Sequence, residues 1–495
     1  MITELQLLSL LRHSIYRASA TEHEVERQQL LGNASLLVNE LLLRNSRGFF
    51  VDFYNEGAAL AQEGMALAFD LDIDLGDTGA ELSSLPGAMP SNSTADDSHR
   101  LIYDLWAALN ALVALLPPGS SGAAGDYLDR LNQWEVEIYA HRETMAPEPD
   151  LDTVTEAVFT ADAFAEYLKQ KFPEWKGLEI HDFFQIGGGF SKQTLLMDVE
   201  DEVNGKQGLA VRAQPSRNIL ALPLTEIDDE YHAVRIAFDE GVTVAEPLWL
   251  ETDTSFFGTK FLVSRRIFGR NLGDARGATE EVTDAMVASL AAEAAKVNAI
   301  NLSAHIDSLS QTPLAEWCRL KTVEEATRFN IQFWRELTVK ESLAKSPLLE
   351  RGFRWLEENV EPCQGTPSLI HGDIGLHNVL IDNGAVTAVL DWEVAHIGDP
   401  AEELAWLLAC TNAYATRQRL LEAYYQAGGK PISEFRLRYY EVLMCLRMPI
   451  AALGMAKKLE VQLDSPQLAI FALRFMHANS SRLVDAIKAA EAVRT

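Results

Sequence analysis

The chain has 495 residues, 47% apolar and 23% charged, a globular balance too long for one hydrophobic core. Its formal charge of −30 argues against nucleic acid and against an anionic membrane face, both of which call for a basic surface. Four cysteines, Cys318, Cys363, Cys410 and Cys445, form no C-x-x-C pair and read as buried thiols of a reducing cytoplasm.

The opening residues MITELQLLSLLRHSIY predict a short amphipathic helix; Glu4 and the lack of a basic lead or small-residue cleavage site speak against a signal peptide. The longest apolar run, Leu101–Leu116, contains Asp104 and Asn110 and falls short of the ~20 residues a bilayer needs. Apolar residues at helical spacing in Leu5–Ile15, Val25–Leu43, Tyr103–Leu116 and Tyr127–Ala140 predict an all-α bundle over residues 1–146. Between them Asp70–Ser98, rich in Asp, Gly, Ser and Pro, predicts a loop. His13, His23, His99 and His141 lack metal-ligand spacing, so the bundle reads as a docking or dimerisation element that could join a homo-oligomer or a partner.

Pro147 and Pro149 mark a linker, and a new domain begins near Leu151. A helix over Ala161–Phe172 leads to a strand at Leu178–Ile186, the turn Gly187-Gly188-Gly189-Phe190-Ser191, and a second strand at Thr194–Val199. Strand, glycine turn, strand lets backbone N–H groups approach phosphates. Gly208–Arg212 is a short strand ending in a cation, Ile227–Glu240 a helix containing Glu230, and Val242–Leu250 and Lys260–Val263 two more strands. Arg265, Arg266, Arg270 and Arg276 form the most basic patch of this acidic chain, suited to a phosphorylated or CoA-bearing acceptor or else simply solvated. Helices follow over Thr279–Asn298, Pro313–Lys321, Glu324–Leu337 and Leu348–Asn359, with Trp317, Trp334 and Trp355 read as core.

The strongest signal lies in Ser368–Leu408. Ser368-Leu369-Ile370 ends a strand, His371-Gly372-Asp373 breaks it, Asn378 follows, and Val379-Leu380-Ile381 starts another strand. The turn Asp382-Asn383-Gly384 then returns the chain through Ala385–Leu390 to Asp391-Trp392-Glu393. A hairpin therefore carries Asp391 back beside Asp373 and Asn378. These residue types suit phosphoryl transfer: Asp373 as a carboxylate that orients an acceptor hydroxyl and takes its proton, Asn378 and Asp391 as oxygen ligands for magnesium.

The pattern H-G-D-x-x-x-x-N followed by D-W-E resembles the aminoglycoside phosphotransferase and choline kinase-like family, relatives of protein kinases. The resemblance implies an α+β, two-lobed protein-kinase-like fold behind an all-α domain. The expected division is 1–146 for the helical accessory domain, 151–268 for the β-rich lobe, and 269–495 for the helical lobe with the catalytic loop. It further implies ATP and Mg2+ as cofactors, with Gly187, Gly188, Gly189 and Ser191 around the phosphates. Arg212 stands in place of the usual lysine, Glu230 is its partner carboxylate, and Arg265 and Ile267 lie in the adenine-binding connector by position. His371 supports the loop, and Asp399, in the G-D-P pattern, braces it.

The V-R-x-x-P strand formed by Val211, Arg212 and Pro215, the D-W-E triplet and the helical companion resemble the branch associated with acyl-CoA dehydrogenases. That implies a cytoplasmic kinase acting on the hydroxyl of a hydroxyacyl-CoA or related alcohol. The alternatives are an aminoglycoside-type phosphotransferase, favoured by the bulk acidity, and a catalytically weak pseudokinase or assembly module, suggested by Arg212.

Overall fold

The computed structural model describes residues 11–12, 47–90, 93, 95–144, 159–186, 192–214, 224–274, 277–278, 280–340, 343, 345–361, 365–411, 415–458 and 480–494. The expected helix over Val25–Leu43 and the glycine turn Gly187–Ser191 lie outside these residues, as does nearly all of the helix over Leu5–Ile15. The contacts divide the chain into two compact units: 1–151 with 331–360 and 441–495, and 152–330 with 361–440.

In the first unit, helices Arg47–Asp70, Ala95–Val113 and Gly122–Thr144 enclose a core of Phe53, Leu105, Leu109, Leu128, Leu131 and Trp134. Each of these side chains recurs at three- or four-residue spacing along its own helix, which is why one face of each helix must be covered. Buried aromatic polar atoms are satisfied by backbone: Trp134 Nε1 donates to Phe53 O at 2.8 Å and Tyr127 Oη to Leu60 O at 3.1 Å. The stretch Asp70–Ser98 differs from the expected single loop, since it contains a helix at Gly76–Ser84 and the start of Ala95–Val113. A single buried anchor, Leu82, holds that short helix, and one apolar residue among polar ones makes no periodic signal.

Residues 331–360 and 441–495 pack with this unit, whereas the sequence divides the chain into consecutive blocks. The physical reason is visible on helix Pro347–Glu358. Its N-cap Ser346 donates to Glu135 Oε1 at 2.6 Å, Leu348 N donates to Glu135 Oε2 at 2.9 Å, and Trp355 Nε1 donates to Glu491 Oε1 at 2.9 Å. A carboxylate borrowed from a distant helix thus satisfies one orphan N–H group of a helix start and the hydroxyl of its cap.

The second unit holds a five-stranded antiparallel sheet of β1 (Glu179–Ile186), β2 (Gln193–Asp201), β3 (Gly205–Ala213), β4 (Pro247–Glu251) and β5 (Phe261–Arg265), in the order β1-β2-β3-β5-β4. Leu195, Met197 and Val199 of β2 and Leu209, Val211 and Ala213 of β3 alternate into one apolar face. Helix Ala161–Lys171, capped by Thr160, covers that face with Phe164, Tyr167 and Leu168. The two-residue period sends Arg212, between Val211 and Ala213, to the opposite face.

Further along this unit, β6 (Ser368–Ile370) pairs with β9 (His396–Gly398), and β7 (Val379–Asp382) with β8 (Ala385–Val389). The hairpin turn needs left-handed backbone at Asn383 and Gly384, with φ of 47° and 81°, and its residues suit that conformation. Over Pro313–Lys321 the structure has two single 3₁₀ turns, Pro313–Ala315 and Trp317–Arg319, instead of the expected helix. Trp317 is fixed there by tertiary packing against Phe329 and His396, which overrides helical propensity. Trp317, Trp334 and Trp355 are all buried. Among the described residues no helix is long and apolar enough to cross a membrane.

Candidate active site

The loop between β6 and β7 is shaped by its backbone requirements. Gly372 has φ of 80°, and a Cβ there would sit 3.1 Å from Val394 O, so the position suits glycine for both reasons. Buried His371 is held in one tautomer: Nε2–H donates to Leu390 O at 2.9 Å, and Nδ1 accepts from Asp373 N at 3.2 Å. Burial lowers its pKa, consistent with a neutral ring. Trp392 meets the ring edge-on at 4.7 Å.

The carboxylate of Asp373 is oriented at both oxygens. Asn378 Nδ2 donates to Oδ2 at 2.9 Å, and His377 Nε2 lies 3.0 Å from Oδ1. Asn378 Nδ2 also donates to Asp373 O at 3.1 Å, so both bonds from this amide nitrogen run to Asp373. Leu390 N donates to Asn378 O at 2.8 Å, which ties the residue preceding Asp391 to the backbone of Asn378. Asp391 has φ of 64°, a left-handed conformation that costs a non-glycine residue free energy and recurs at functional sites.

Arg212 forks between two carboxylates, with Nη2 at 2.6 Å from Asp391 Oδ1 and Nε at 3.0 Å from Glu230 Oε1. Burial opposes its charge, but Asp391 and Glu230 outweigh that and raise its pKa. Glu230 Oε1 also accepts from Trp392 N at 3.4 Å. The structure therefore brings Asp373, Asn378, Asp391, Arg212, Glu230 and His371 together in the second unit.

Other expected site residues stand elsewhere. Arg265, at the end of β5, pairs with Glu246 at 2.9 Å; Ile267 is half-buried just beyond that strand. Neither shares a hydrogen bond with the loop among the described residues. The basic patch is neutralised where described: besides Arg265, Arg266 meets Asp198 at 3.1 Å and Arg270 meets Glu280 at 2.7 Å. Arg276 lies outside the described residues.

Asp399 accepts from Ala401 N at 2.9 Å and from Arg436 Nε at 3.0 Å, so it starts a helix and anchors another. The carboxylate that touches the loop backbone is Glu403, whose Oε2 accepts from His371 N at 2.6 Å and from Gly372 N at 3.4 Å. His377 and Glu403 were not among the residues expected from the sequence. His377 carries a signal in retrospect, since it directly precedes Asn378, whereas Glu403 looks like any first-turn acid of a helix.

Burial pushes the Glu403 carboxyl up to about 7, against the two N–H groups that favour its charge. A raised folded pKa means that its stabilising contribution is full below pH 4.5 and is lost as pH climbs toward 7. We expect E403Q to keep both backbone hydrogen bonds and to flatten the decline in unfolding free energy between those pH values. Urea titrations at pH 5 and 7 check this; an unchanged slope would show that another group sets it.

Among the described residues no three His, Cys, Asp or Glu side chains form a metal cluster. Asn378 and Asp391 instead offer one amide and one carboxylate oxygen, hard donors of the kind Mg2+ takes when phosphates and water complete its shell. That donor set fits a nucleotide-bound magnesium better than a resident, protein-caged metal.

An antiparallel sheet, a loop carried on a hairpin and a helical remainder are the architecture of a kinase-like phosphotransferase. The chain belongs to the phosphotransferase enzyme family known as APH, whose family model matches residues 185–441. It is 28% identical over 226 residues to acyl-CoA dehydrogenase family member 11 of Gallus gallus, covering 45% of this chain and 27% of that protein. It is 24% identical over 253 residues to hygromycin-B 4-O-kinase of Escherichia coli, covering 50% of this chain and 66% of that protein. The fold is also that of a candidate aminoglycoside phosphotransferase from Ralstonia eutropha, with a TM-score of 0.50 at 18% identity, covering 68% of this chain and 100% of that one. The chain spans about a quarter to a third of the length of the acyl-CoA dehydrogenase family relatives it matches.

Proposed function

We propose that the chain is a magnesium- and ATP-dependent kinase of a small-molecule hydroxyl, with Asp373 as general base. The observation that carries this reading is the Asp373 carboxylate, held at both oxygens by Asn378 and His377, with Asn378 in turn bonded through its backbone O to Leu390, the neighbour of Asp391. When bound, the magnesium nucleotide supplies the γ-phosphoryl group and offsets its charge. Asp373 orients the acceptor hydroxyl and receives its proton as the oxygen attacks. Asn378 and Asp391 would hold the metal through their side-chain oxygens. Arg212, kept charged and fixed by Glu230, steadies Asp391 and contributes positive charge toward the phosphates, and the glycine turn Gly187–Ser191 offers them its N–H groups.

The acceptor is a hydroxyacyl-CoA or related alcohol. The relationship to acyl-CoA dehydrogenase family member 11 supports this choice over an aminoglycoside, which the relationship to hygromycin-B 4-O-kinase favours. On this reading the enzyme works in the cytoplasm, and its helical unit is the surface through which it would meet a second copy or a partner. ADP release with ATP and magnesium, measured against hydroxyacyl-CoA thioesters, steroid and terpenoid alcohols, hygromycin B and other aminoglycosides, tests the choice. Turnover is expected with the thioesters; turnover confined to the aminoglycosides would reverse it.

A further inference from the structure

Three consecutive residues, Asp391, Trp392 and Glu393, are each fastened to a different place in the sheet-bearing part of their unit. Arg212 of β3 holds Asp391, and Glu230 of helix Ile227–Asp239 accepts from the N–H of Trp392. Glu393 is held twice: its carbonyl accepts from Leu224 N at 3.1 Å, and its Oε2 lies 3.5 Å from Lys192 Nζ.

Lys192 immediately precedes β2 and follows the glycine turn in sequence. Its side chain is only 1% exposed, and its ammonium also donates to Thr225 O at 2.5 Å. Lysine is seldom buried so completely unless its charge is paired, because desolvating an ammonium costs several kcal/mol or more. With so little exposure the ammonium is committed to Glu393 and Thr225 and is closed to a ligand from solution.

We propose that Lys192 is a positioning residue for the metal-binding carboxylate. By clamping Glu393, it fixes the far end of a three-residue segment whose near end is the strained Asp391, so that Asp391 stays aimed when cation and nucleotide arrive. Arg212 alone cannot do this, because it grips the carboxylate and leaves the backbone beyond Trp392 unrestrained. The proposal rests on the kinase reading above, and it concerns a residue to which that reading gives no role.

The test uses the full chain and Mn2+ as the probe, with its binding to the ATP-saturated protein followed by electron paramagnetic resonance and ATP binding without metal followed by calorimetry. We expect K192M to weaken Mn2+ binding by about 10- to 100-fold, the range for supporting residues behind metal ligands. ATP affinity without metal should change by less than about threefold, since the clamp acts on the metal's carboxylate. E393Q should reproduce the loss, K192R should recover most of it, and the double variant K192M/E393Q should be no weaker than the worse single variant, as expected of two residues acting as one unit.

Additive losses, or a loss confined to metal-free ATP binding, would overturn the proposal, and so would Mn2+ binding unchanged in K192M. A parent chain that binds ATP without recruiting Mn2+ would instead defeat the kinase reading, and the proposal with it. Circular dichroism melting of K192M and E393Q separates a lost clamp, in which the melting temperature stays near the parent's, from a lost fold.

Discussion

Replacing Asp373 by asparagine should lower turnover by about 100- to 10,000-fold, the usual contribution of a positioned general base. Nucleotide binding should persist, because among the described residues no hydrogen bond of Asp373 reaches Arg212 or Asp391. Asparagine matches aspartate in size and keeps a carbonyl oxygen for the amide of Asn378, so the loop should hold its shape. It cannot take a proton. The loss should therefore appear in kcat and leave the KM for ATP nearly unchanged, the pattern of an interaction made in the transition state. Steady-state kinetics with any acceptor that releases ADP measures this, and unaltered kcat would remove Asp373 from the role. Because the effect concerns proton transfer and the Lys192 clamp concerns metal binding, the two variants report on separate steps.

The largest effect on stability is expected in the helical unit, at Arg351. Its side chain is completely buried; Nη1 donates to Asn132 Oδ1 at 2.6 Å and Nη2 to Asp129 Oδ1 at 2.7 Å, and Nε lies 3.4 Å from Pro118 O. Burial pulls its pKa below the usual arginine value, while Asp129 works to restore it. Removing one partner of a buried ion pair costs about 3–5 kcal/mol, mostly for the polar groups left behind, so R351A should lower the unfolding midpoint markedly. R351M should cost less, since it refills the volume without a charge, although it too leaves Asn132 and Pro118 without their donor. Asp129 retains Lys488 at 2.5 Å in both variants. Denaturant titration followed by tryptophan fluorescence gives the comparison, and an R351A midpoint equal to the parent's would mean that the guanidinium's hydrogen bonds contribute nothing net.

Much of the second unit was legible because its patterns are local. The alternation in Leu195, Met197 and Val199 announces a strand with one buried face, and Asn383-Gly384 announces a hairpin turn, since each needs only neighbours in sequence. The same holds for Asp373, Asn378 and Asp391, whose separation is set by one short hairpin. Glu403 and Lys192 were not legible. Each acts across a gap in sequence, on His371 and on Glu393, and neither residue type is unusual at the start of a helix or strand. The 3₁₀ turns around Trp317 escaped for a related reason: an apolar stripe says that a face will be buried but not how the backbone bends to bury it.

By itself the sequence determined the phosphotransferase family and the kinase-like fold class and singled out Asp373, Asn378 and Asp391 as the proposed site, because a motif and its hairpin confine those choices to about twenty-five neighbouring residues. Only the tertiary structure decided that 331–360 and 441–495 pack with the N-terminal helices, that Arg212 reaches Asp391 as well as the expected Glu230, and that a buried lysine stands behind Glu393. An amphipathic helix records that it has an apolar face and a charged side chain records that it needs a partner. Which face or partner is met depends on the free energy of the whole packed chain, and no local pattern carries that information.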